Sequence, residues 1–238
     1  MQPKVQILKV WGELACFTNP VTKVERFSYP VITPSAARGI FDAIYCKPTE
    51  FSWQVTKVEM LEFPRYIALR RNEVKDKIPV ASILKWQSNS TEPEPLWADG
   101  DRDSLGTDAK GRTQRQTMAL KNVRYRLHGE IRPWAGFEDR LQGLESQFRR
   151  RASAGKCFCQ PCFGCREFPA YFELVEPDSQ PEDPVPYTAD LGWMVYDVFD
   201  LSRPGTEWDP PSISLFRAQV TNGILHIPEY GSTDVKKP

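Results

Sequence analysis

Residues 120–152 read LKNVRYRLHGEIRPWAGFEDRLQGLESQFRRRA and contain the two periodicities that decide the fold. In the first part apolar and polar side chains alternate, so that Val123, Tyr125 and Leu127 share one face, which is typical of a half-buried strand. In residues 137–152 the apolar side chains recur at helical spacing. The stretch therefore predicts a strand followed by a helix that packs on a common core.

Elements of the same two kinds are predicted on both sides of this stretch. Upstream they are a strand at 5–10, a helix that begins near Pro34 with Thr33 or Ser35 as its cap, and strands at 55–61 and 66–69; downstream a strand is predicted at 168–175. The order β-α-β-β-loop-β-α-β predicts an α+β fold with a ferredoxin-like, RRM-related sheet that carries two helices on one face.

Loops and linkers in the sequence predict the domain organisation. Residues 1–176 are expected to form the ferredoxin-like domain, with a long loop at about 87–115 where Ser, Asn, Asp, Gly and Pro replace any periodicity. The prolines and acids of residues 177–186 predict a linker. After it, apolar runs at 191–199, 212–220 and 223–227 predict a small antiparallel β subdomain over residues 187–238.

Composition limits the class of protein. The 238 residues are 40% hydrophobic and carry no net charge, as expected of a folded domain with an ample core. No apolar run approaches the roughly 18 residues that a membrane span needs, and the first ten residues do not form a signal peptide. We therefore expect a cytoplasmic protein with no membrane partner, in which the six cysteines stay reduced.

The charges are distributed unevenly along the neutral chain. Residues 102–156 contain 13 Lys and Arg against 6 Asp and Glu, a balance of +7, whereas residues 167–202 contain 9 Asp and Glu and no Lys or Arg. Two interpretations stay open. The opposite fields either focus a polyanion onto one face, or the two segments lie against each other and cancel.

Residues 149–170, RRRASAGKCFCQPCFGCREFPA, combine three arginines with four cysteines. Cys159, Cys162 and Cys165 have the C-x2-C-x2-C spacing with which a bacterial ferredoxin motif begins, but Phe168-Pro169 stands where that motif ends in Cys-Pro. No second pair of ligands follows, as a structural zinc site would require. We expect no metal or other cofactor and interpret the cysteines as small apolar side chains, with an iron–sulfur or zinc protein as the distant alternative.

The same stretch resembles the Gly-rich segment of the type I-C CRISPR-associated repeat-processing proteins, subtype d of the fifth Cas family. Its matching residues are Arg150, Arg151, Gly155, Phe158, Gln160, Pro161, Gly164 and 165–170. Further agreement, in the right order, comes from residues 10–12, 15–18, 23–26, 28–29, 33–40, 43–45, 47–48 and 70–74. The resemblance covers most of residues 5–175 and continues more weakly beyond.

The resemblance implies a function for the chain. It implies a protein that binds the repeat hairpin of precursor CRISPR RNA and cleaves it without metal, by attack of a 2′-hydroxyl on the adjacent phosphate, which leaves a 2′,3′-cyclic end. The protein then holds the 5′ handle of the crRNA inside an interference complex with other type I-C subunits. DNA binding or nicking is left open.

Cations are the side chains expected to contact this RNA, because arginines and lysines bind phosphates and stack on bases. The residues themselves and the resemblance together give one set of RNA-binding candidates: Arg38, Arg70, Arg71, Arg115, Arg149, Arg150, Arg151, Lys156 and Arg166. The three consecutive arginines also suit the last turn of a helix, where cations offset the helix dipole.

Tyr45 and Lys156 are the catalytic candidates. The resemblance gives Tyr45 the position of the catalytic tyrosine, which can act as a base only if a cation such as Lys156 or Arg149 lowers its pKa from near 10. The relatives' Lys-His pair on the second helix is replaced here by Gly143-Leu144. This departure supports an alternative in which the chain is a non-catalytic crRNA-binding assembly subunit. His128 is the remaining histidine candidate that could take over proton transfer from the absent Lys-His pair.

Overall fold

The computed structural model of the chain describes residues 2–22, 24–75, 78–88, 92–93, 111–176, 182–206 and 208–238. These residues form two compact units. The larger consists of Met1–Ile67 and Met118–Pro238, and the smaller of Ala68–Thr117. None of the helices in the described ranges is long and apolar enough to cross a membrane.

The secondary structure is a large sheet with few helices. The described helices are α1 (Pro34–Ile44), α2 (Val80–Ser88) and α3 (Leu141–Ser153), and short 3-10 turns cover Pro20–Thr22 and Glu138–Arg140. The strands are β1 (Gln6–Ala15), β2 (Arg26–Phe27), β3 (Phe51–Met60), β4 (Tyr66–Val74), β5 (Arg112–Pro133), β6 (Tyr171–Leu174), β7 (Ala189–Asp197), β8 (Ser214–Thr221), β9 (Ile224–His226) and β10 (Val235–Lys236).

One sheet runs through the larger unit, with its strands in the order β10-β8-β9-β3-β5-β1-β6. Outside this order, β2 and β4 pair with β5, and β7 pairs with β8. The pairs β1–β5, β1–β6, β3–β5, β3–β9 and β8–β9 are antiparallel. The strand and helix predicted within residues 120–152 are both confirmed, as β5 and α3. Thr33 caps α1, since its hydroxyl accepts the Ala36 amide at 3.3 Å, and Pro34 begins the helix.

The helices α1 and α3 pack on one face of the sheet around three aromatic rings. Phe41 of α1 and Phe148 of α3 both lie over Trp53 of β3, with ring centroids 4.7 Å apart in each case. Gly129 of β5 makes this packing possible, because a Cβ there would come within 2.9 Å of the Phe41 ring. Burying each aromatic side chain contributes about 1.5–3 kcal/mol, so the cluster fixes both helices against the strands.

The opposite face of the sheet carries the polar residues of the alternating pattern, of which Arg126 and His128 are buried. The guanidinium of Arg126 is bound to the carboxylate of Glu59 and donates to the backbone carbonyl of Glu182 at 2.6 Å. His128 Nε2 lies 3.0 Å from Glu59 Oε1. His128 therefore belongs to a buried ionic network on the face away from the helices.

The C-terminal strands continue the same sheet, whereas the sequence predicts a separate subdomain at 187–238. Strand β9 pairs with β3, and the Val185 amide donates to the Met60 carbonyl at 2.9 Å. Arg38 of α1 binds Asp197 at the end of β7 through two hydrogen bonds, of 2.7 and 3.1 Å. Residues 182–238 accordingly belong to one compact unit with the N-terminal strands.

The smaller unit contains most of β4, the helix α2 and the first residues of β5. The Lys75 amide donates to the Gly111 carbonyl at 2.8 Å, which joins the end of β4 to the start of β5. The helix α2 ends at Ser88 and β5 begins at Arg112; residues 89–91 and 94–110 of the loop predicted at about 87–115 lie outside the described residues.

Candidate functional site

An open cleft of about 660 Å³ lies between the end of α1 and the first turns of α3. Its lining combines aromatic, charged and small side chains. They include Tyr45, Lys47, Glu50, Arg140, Gly143, Leu144 and Gln147. The cleft therefore brings the sequence-predicted Tyr45 together with charged residues that the sequence analysis did not single out as candidates.

Tyr45 is held firmly at the end of α1. Its amide donates to the Phe41 carbonyl at 2.9 Å, and its own carbonyl accepts the Trp53 indole N–H at 2.9 Å. The Tyr45 ring packs against Phe51 with centroids 5.5 Å apart, and only 4% of the residue is exposed. The hydroxyl therefore has a fixed position in the wall of the cleft.

The environment of Tyr45 favours the protonated phenol. Burial raises its pKa above the ordinary value of 10, and the nearby cations Lys47 and Arg151 only partly offset that effect. A role for Tyr45 as a base requires a cation, predicted from the sequence to be Lys156 or Arg149, to lower this pKa. The structure instead places Lys47 and Arg151 near the phenol, and burial outweighs both of them, so Tyr45 is suited to donate a proton rather than to accept one.

Lys47 and Glu50 form an ion pair in the same cleft. Lys47 Nζ lies 2.9 Å from Glu50 Oε1, and Arg140 lies 3.4 Å from Glu50 Oε2. The hydrogen bond to Glu50 raises the pKa of Lys47, and the same bond lowers the pKa of Glu50. The sequence signal for Lys47 is its position two residues after Tyr45, within the residues 47–48 that match the resembling family.

Gly143 and Leu144 face this cleft from α3. Leu144 is 4% exposed, and a Cβ at Gly143 would meet nothing within 4 Å. Gly143 and Leu144 therefore line the same cleft as Tyr45, and neither brings an ammonium or imidazole group to it. His128 does not supply such a group, because it is bound to Glu59 on the other face of the sheet.

The Gly-rich segment, which is the part of residues 149–170 that follows α3, makes close contacts with the rest of the larger unit. Gly164 has φ +82°, and a Cβ there would lie 2.1 Å from the Cys16 carbonyl oxygen. The Cys16 amide donates to the Phe163 carbonyl at 3.0 Å. Gly12 of β1 is packed as tightly, with a Cβ contact of 2.7 Å to the Pro169 carbonyl. These close approaches explain why glycine occurs at both positions.

The three consecutive arginines have three different surroundings. Arg149 forms an ion pair with Glu176 at 2.6 Å. Arg150 donates to the side-chain carbonyl of Gln147 at 2.6 Å and is exposed. Arg151 donates from Nε to the Ile44 carbonyl at 2.6 Å. The pairing of Arg149, like that of Arg124 with Glu182, shows that the acidic segment cancels part of the positive charge of the basic one.

The larger unit contains three further cations that the sequence predicts as RNA contacts, and two of these are exposed. Lys156 and Arg166 are exposed, and their side chains make no hydrogen bond or ion pair with any residue that the structure describes. Arg38 is largely buried and binds both Asp42 and Asp197. The sequence predicts Arg38 as an RNA contact, but two carboxylates already satisfy its guanidinium, so its observed role is to join α1 to β7.

The remaining predicted cations belong to the smaller unit. Glu73 lies between Arg71, at 3.8 Å, and Arg115, at 3.1 Å. Arg70 is exposed and has no side-chain partner among the described residues. Of the three, Arg70 is therefore the side chain that is available to a phosphate without breaking an ion pair.

The cysteines do not assemble a ligand set. Within the described ranges, no group of three or more His, Cys, Asp or Glu side chains could hold a metal ion. Cys165 lies instead beside Arg26, whose guanidinium donates to its sulfur at 3.2 Å. A hydrogen bond from the Cys16 thiol, reinforced by Arg26, lowers the pKa of Cys165. These two buried thiols therefore help to attach the Gly-rich segment to the residues that follow β1.

The chain is similar to known proteins over nearly its full length. A protein of Mannheimia succiniciproducens named CRISPR pre-crRNA endoribonuclease Cas5d is 37% identical over an alignment 243 residues long, which covers 97% of each chain. A protein of Thermus thermophilus with the same name is 37% identical over an alignment 238 residues long, which covers 93% of this chain and 90% of the relative. A crystal structure of a CRISPR-associated protein, 20% identical, matches 99% of this chain and 98% of its own with a TM-score of 0.64.

The family comparison agrees with these relatives. Residues 7–228 match the Cas5d family model, which is described as CRISPR-associated protein (Cas_Cas5). That range includes Tyr45, the Gly-rich segment and the C-terminal strands up to β9. The chain therefore belongs to the Cas5 family of CRISPR-associated proteins, subtype d.

Proposed function

We propose that the chain binds the repeat hairpin of precursor CRISPR RNA and cleaves it. Both relatives at 37% identity are named pre-crRNA endoribonucleases. The observation that carries the proposal is the fixed Tyr45 phenol in the cleft at the end of α1, with the cations Lys47 and Arg151 close to it. A phenol beside two cations is suited to a reaction in which negative charge develops on a phosphate.

The proposed reaction is an internal transesterification that needs no metal. The 2′-oxygen of one nucleotide forms a bond to the adjacent phosphorus, and the bond from phosphorus to the 5′-oxygen of the next nucleotide breaks. One proton leaves the 2′-hydroxyl and one reaches the departing 5′-oxygen. The products are a 2′,3′-cyclic phosphate and a 5′-hydroxyl end, with no net change in protons.

Tyr45 is proposed to supply the proton to the leaving oxygen, because burial keeps its phenol protonated near neutral pH. Such help contributes about 10²–10⁴-fold to a rate. Lys47 and Arg151 stabilise the charge on the phosphate, and Lys156, exposed on the segment after α3, holds a further phosphate of the strand.

RNA binding is proposed to use those cations of the predicted set that are exposed and have no carboxylate partner among the described residues. In the larger unit these are Arg150, Lys156 and Arg166, and in the smaller unit Arg70. Such contacts position an RNA backbone and make affinity fall with salt. After cleavage the protein retains the 5′ handle of the crRNA and holds it within a type I-C interference complex, together with that complex's other subunits.

The topology supports the ferredoxin-like assignment within this proposal. Strand β1, helix α1 and strand β3 form one half of the motif, and strand β5, helix α3 and strand β6 form the other. Their order in the sheet is β3-β5-β1-β6. This is the interleaved arrangement of two βαβ halves with both helices on one face, which RRM-related RNA-binding domains use.

The test is cleavage of the cognate repeat RNA in EDTA. We expect a single cut at the base of the hairpin, and a 3′ end that phosphatase does not dephosphorylate until acid has opened the cyclic phosphate. A Tyr45→Phe variant that binds RNA with unchanged affinity but cuts at least 100-fold more slowly would support the assignment of Tyr45. Full activity of that variant would remove Tyr45 from the mechanism.

A binding and assembly subunit without catalytic activity is the second candidate. The observation that favours it is the lining of the cleft by Gly143 and Leu144 where the resembling family has Lys-His. The same experiment separates the candidates, because the second predicts tight retention of the repeat RNA with no product under any condition that preserves binding.

A further inference from the structure

Phe158 is a large apolar side chain that the fold leaves in solvent. It is 63% exposed, whereas the later aromatic residues of the same segment, Phe163 and Phe168, are buried. Residues 149–166 around it contain five arginines and lysines and no acidic residue. What sets this ring apart from other exposed apolar side chains is therefore the positive charge around it.

One face of the Phe158 ring is already covered. The guanidinium carbon of Arg151 lies 4.0 Å from the ring centroid, within the range of a cation–π contact. Arg151 is held in turn by its hydrogen bond to the Ile44 carbonyl. One face of the Phe158 ring therefore contacts a cation that is held in place, and the exposed area of the ring belongs to its other face.

The backbone under the ring is also fixed. The Phe158 amide donates to the Ala43 carbonyl at 2.7 Å, which attaches the segment to the last turn of α1. Gly155, with φ +62°, ends α3 and directs the chain towards that contact. A ligand that stacks on Phe158 would therefore lose little free energy to ordering of the loop.

We propose that the free face of Phe158 is a stacking site for a nucleobase of the bound RNA strand. The proposal rests on the proposed function and adds a base contact to it. Phe158 and Tyr45 are linked through adjacent residues at the end of α1, since Phe158 binds the backbone of Ala43 and Arg151 that of Ile44. The stacked base accordingly belongs to a nucleotide close to the scissile phosphate.

The charge around the ring distinguishes a nucleotide from an apolar protein surface. Lys156 is exposed two residues before Phe158, and Arg150 is exposed on the last turn of α3. A nucleotide satisfies both kinds of group at once, because its base stacks on the ring while its phosphates meet the cations. An apolar partner would have to bury these cations without compensation.

The experiment measures affinity for the cognate repeat RNA across a salt series, for the wild type and for Phe158→Leu, Phe158→Trp and Lys156→Gln. Phe63→Leu is the matched control, because Phe63 is an exposed phenylalanine, 46% accessible, in the turn between β3 and β4. Loss of one stacked base should weaken binding by roughly 5- to 100-fold. Thermal unfolding of each variant checks that the fold is retained.

The expected result separates stacking from charge. Phe158→Leu should weaken binding without changing the slope of log affinity against log salt, because no cation is removed, whereas Lys156→Gln should make that slope shallower. Phe158→Trp and Phe63→Leu should bind as the wild type does. Equal binding by the wild type and Phe158→Leu would overturn the stacking site alone and would leave a protein partner as the reason for the exposed ring. Absence of RNA binding by the wild type would overturn the proposed function and the stacking site together.

Discussion

Lys47 and Glu50 are joined by an ion pair of 2.9 Å between Nζ and Oε1, three residues apart on the segment that follows α1. The pair fixes a positive charge in the cleft that contains Tyr45. A charge that is positioned before the substrate arrives stabilises a developing anion without having to move, and such stabilisation is often the largest catalytic contribution.

Substitution of Lys47 by Gln should therefore slow cleavage more than it weakens binding. We expect the single-turnover rate to fall by about 10- to 100-fold, with a small change in RNA affinity. Lys47→Arg should retain part of the rate because it keeps the charge. Lys121, an exposed lysine of β5, offers the matched control in Lys121→Gln. Equal rates for Lys47→Gln and the wild type would remove Lys47 from the mechanism.

Tyr45 leads to a prediction about pH. Burial raises the pKa of this phenol above 10, so the proton-donating form predominates throughout the range from pH 7 to 9. The single-turnover rate at saturating protein should accordingly not fall across that range, and Tyr45→Phe should lower it by about 10²–10⁴-fold at every pH. A rate that declines between pH 7 and 8 and is unaffected by Tyr45→Phe would show that another group donates the proton.

Gly143 is a position on α3 at which a substitution can add an ammonium group to the cleft. Since a Cβ at this position meets nothing within 4 Å, Gly143→Ala and Gly143→Lys should both fold, and each should stabilise the helix by about 0.5–1 kcal/mol. Only Gly143→Lys adds an ammonium group at the cleft, and we expect it to raise the cleavage rate by about 10-fold over Gly143→Ala. Identical rates for the two variants would show that this position no longer contributes to catalysis.

Gly164 and Gly155 differ in a way that predicts opposite tolerance to alanine. Both have positive φ, but a Cβ at Gly164 would lie 2.1 Å from a backbone oxygen, whereas one at Gly155 would meet nothing within 4 Å. Gly155→Ala should cost only about 1 kcal/mol of stability. Gly164→Ala should displace the Gly-rich segment and reduce RNA binding by at least 10-fold, as measured by filter retention. Normal binding by Gly164→Ala would show that RNA contacts do not depend on how this segment is attached.

Glu59 should make stability depend on pH below neutrality. Burial alone would raise its pKa, but hydrogen bonds from His128 and Lys57 outweigh burial and lower the pKa to about 2. The carboxylate then contributes about 3 kcal/mol above its ordinary pKa of 4.5, and this contribution is lost as the pH falls from 4.5 towards 2. Urea unfolding should show Glu59→Gln destabilised by a similar amount at pH 7, and by much less at pH 3. A difference that does not shrink at low pH would refute the ionic origin of the effect.

The sequence predicts the local elements of this protein well because each one depends on short-range information. The cap at Thr33, the helix α3 and the alternation along β5 all follow from neighbouring residues. The pairing of β9 with β3 does not, because it joins residues more than 160 positions apart and no local pattern specifies the partner of a strand. The sequence therefore predicts a linker at 177–186 and a β subdomain after it, but not which strand β9 pairs with.

The candidate site likewise has features that follow from neighbouring residues and features that depend on residues far apart in the sequence. Tyr45 was identified from a motif that resembles a known family, and the structure places it in a cleft with the two positions that depart from that motif. Which cations are already neutralised could not be predicted, because the partners of Arg38 and Arg149 lie on distant strands and loops. The sequence shows only that Phe158 matches the family motif. Its exposure could not be predicted, because exposure is a property of the folded chain.

The position of β9 beside β3 also has a consequence for synthesis of the protein. The hydrogen-bonding edge of β3 that binds β9 stays open until residues 224–226 have been made, more than 160 positions after β3 itself. An open edge is where unfinished chains pair with each other. The nascent polypeptide is therefore vulnerable to aggregation throughout the synthesis of the residues that separate these two strands.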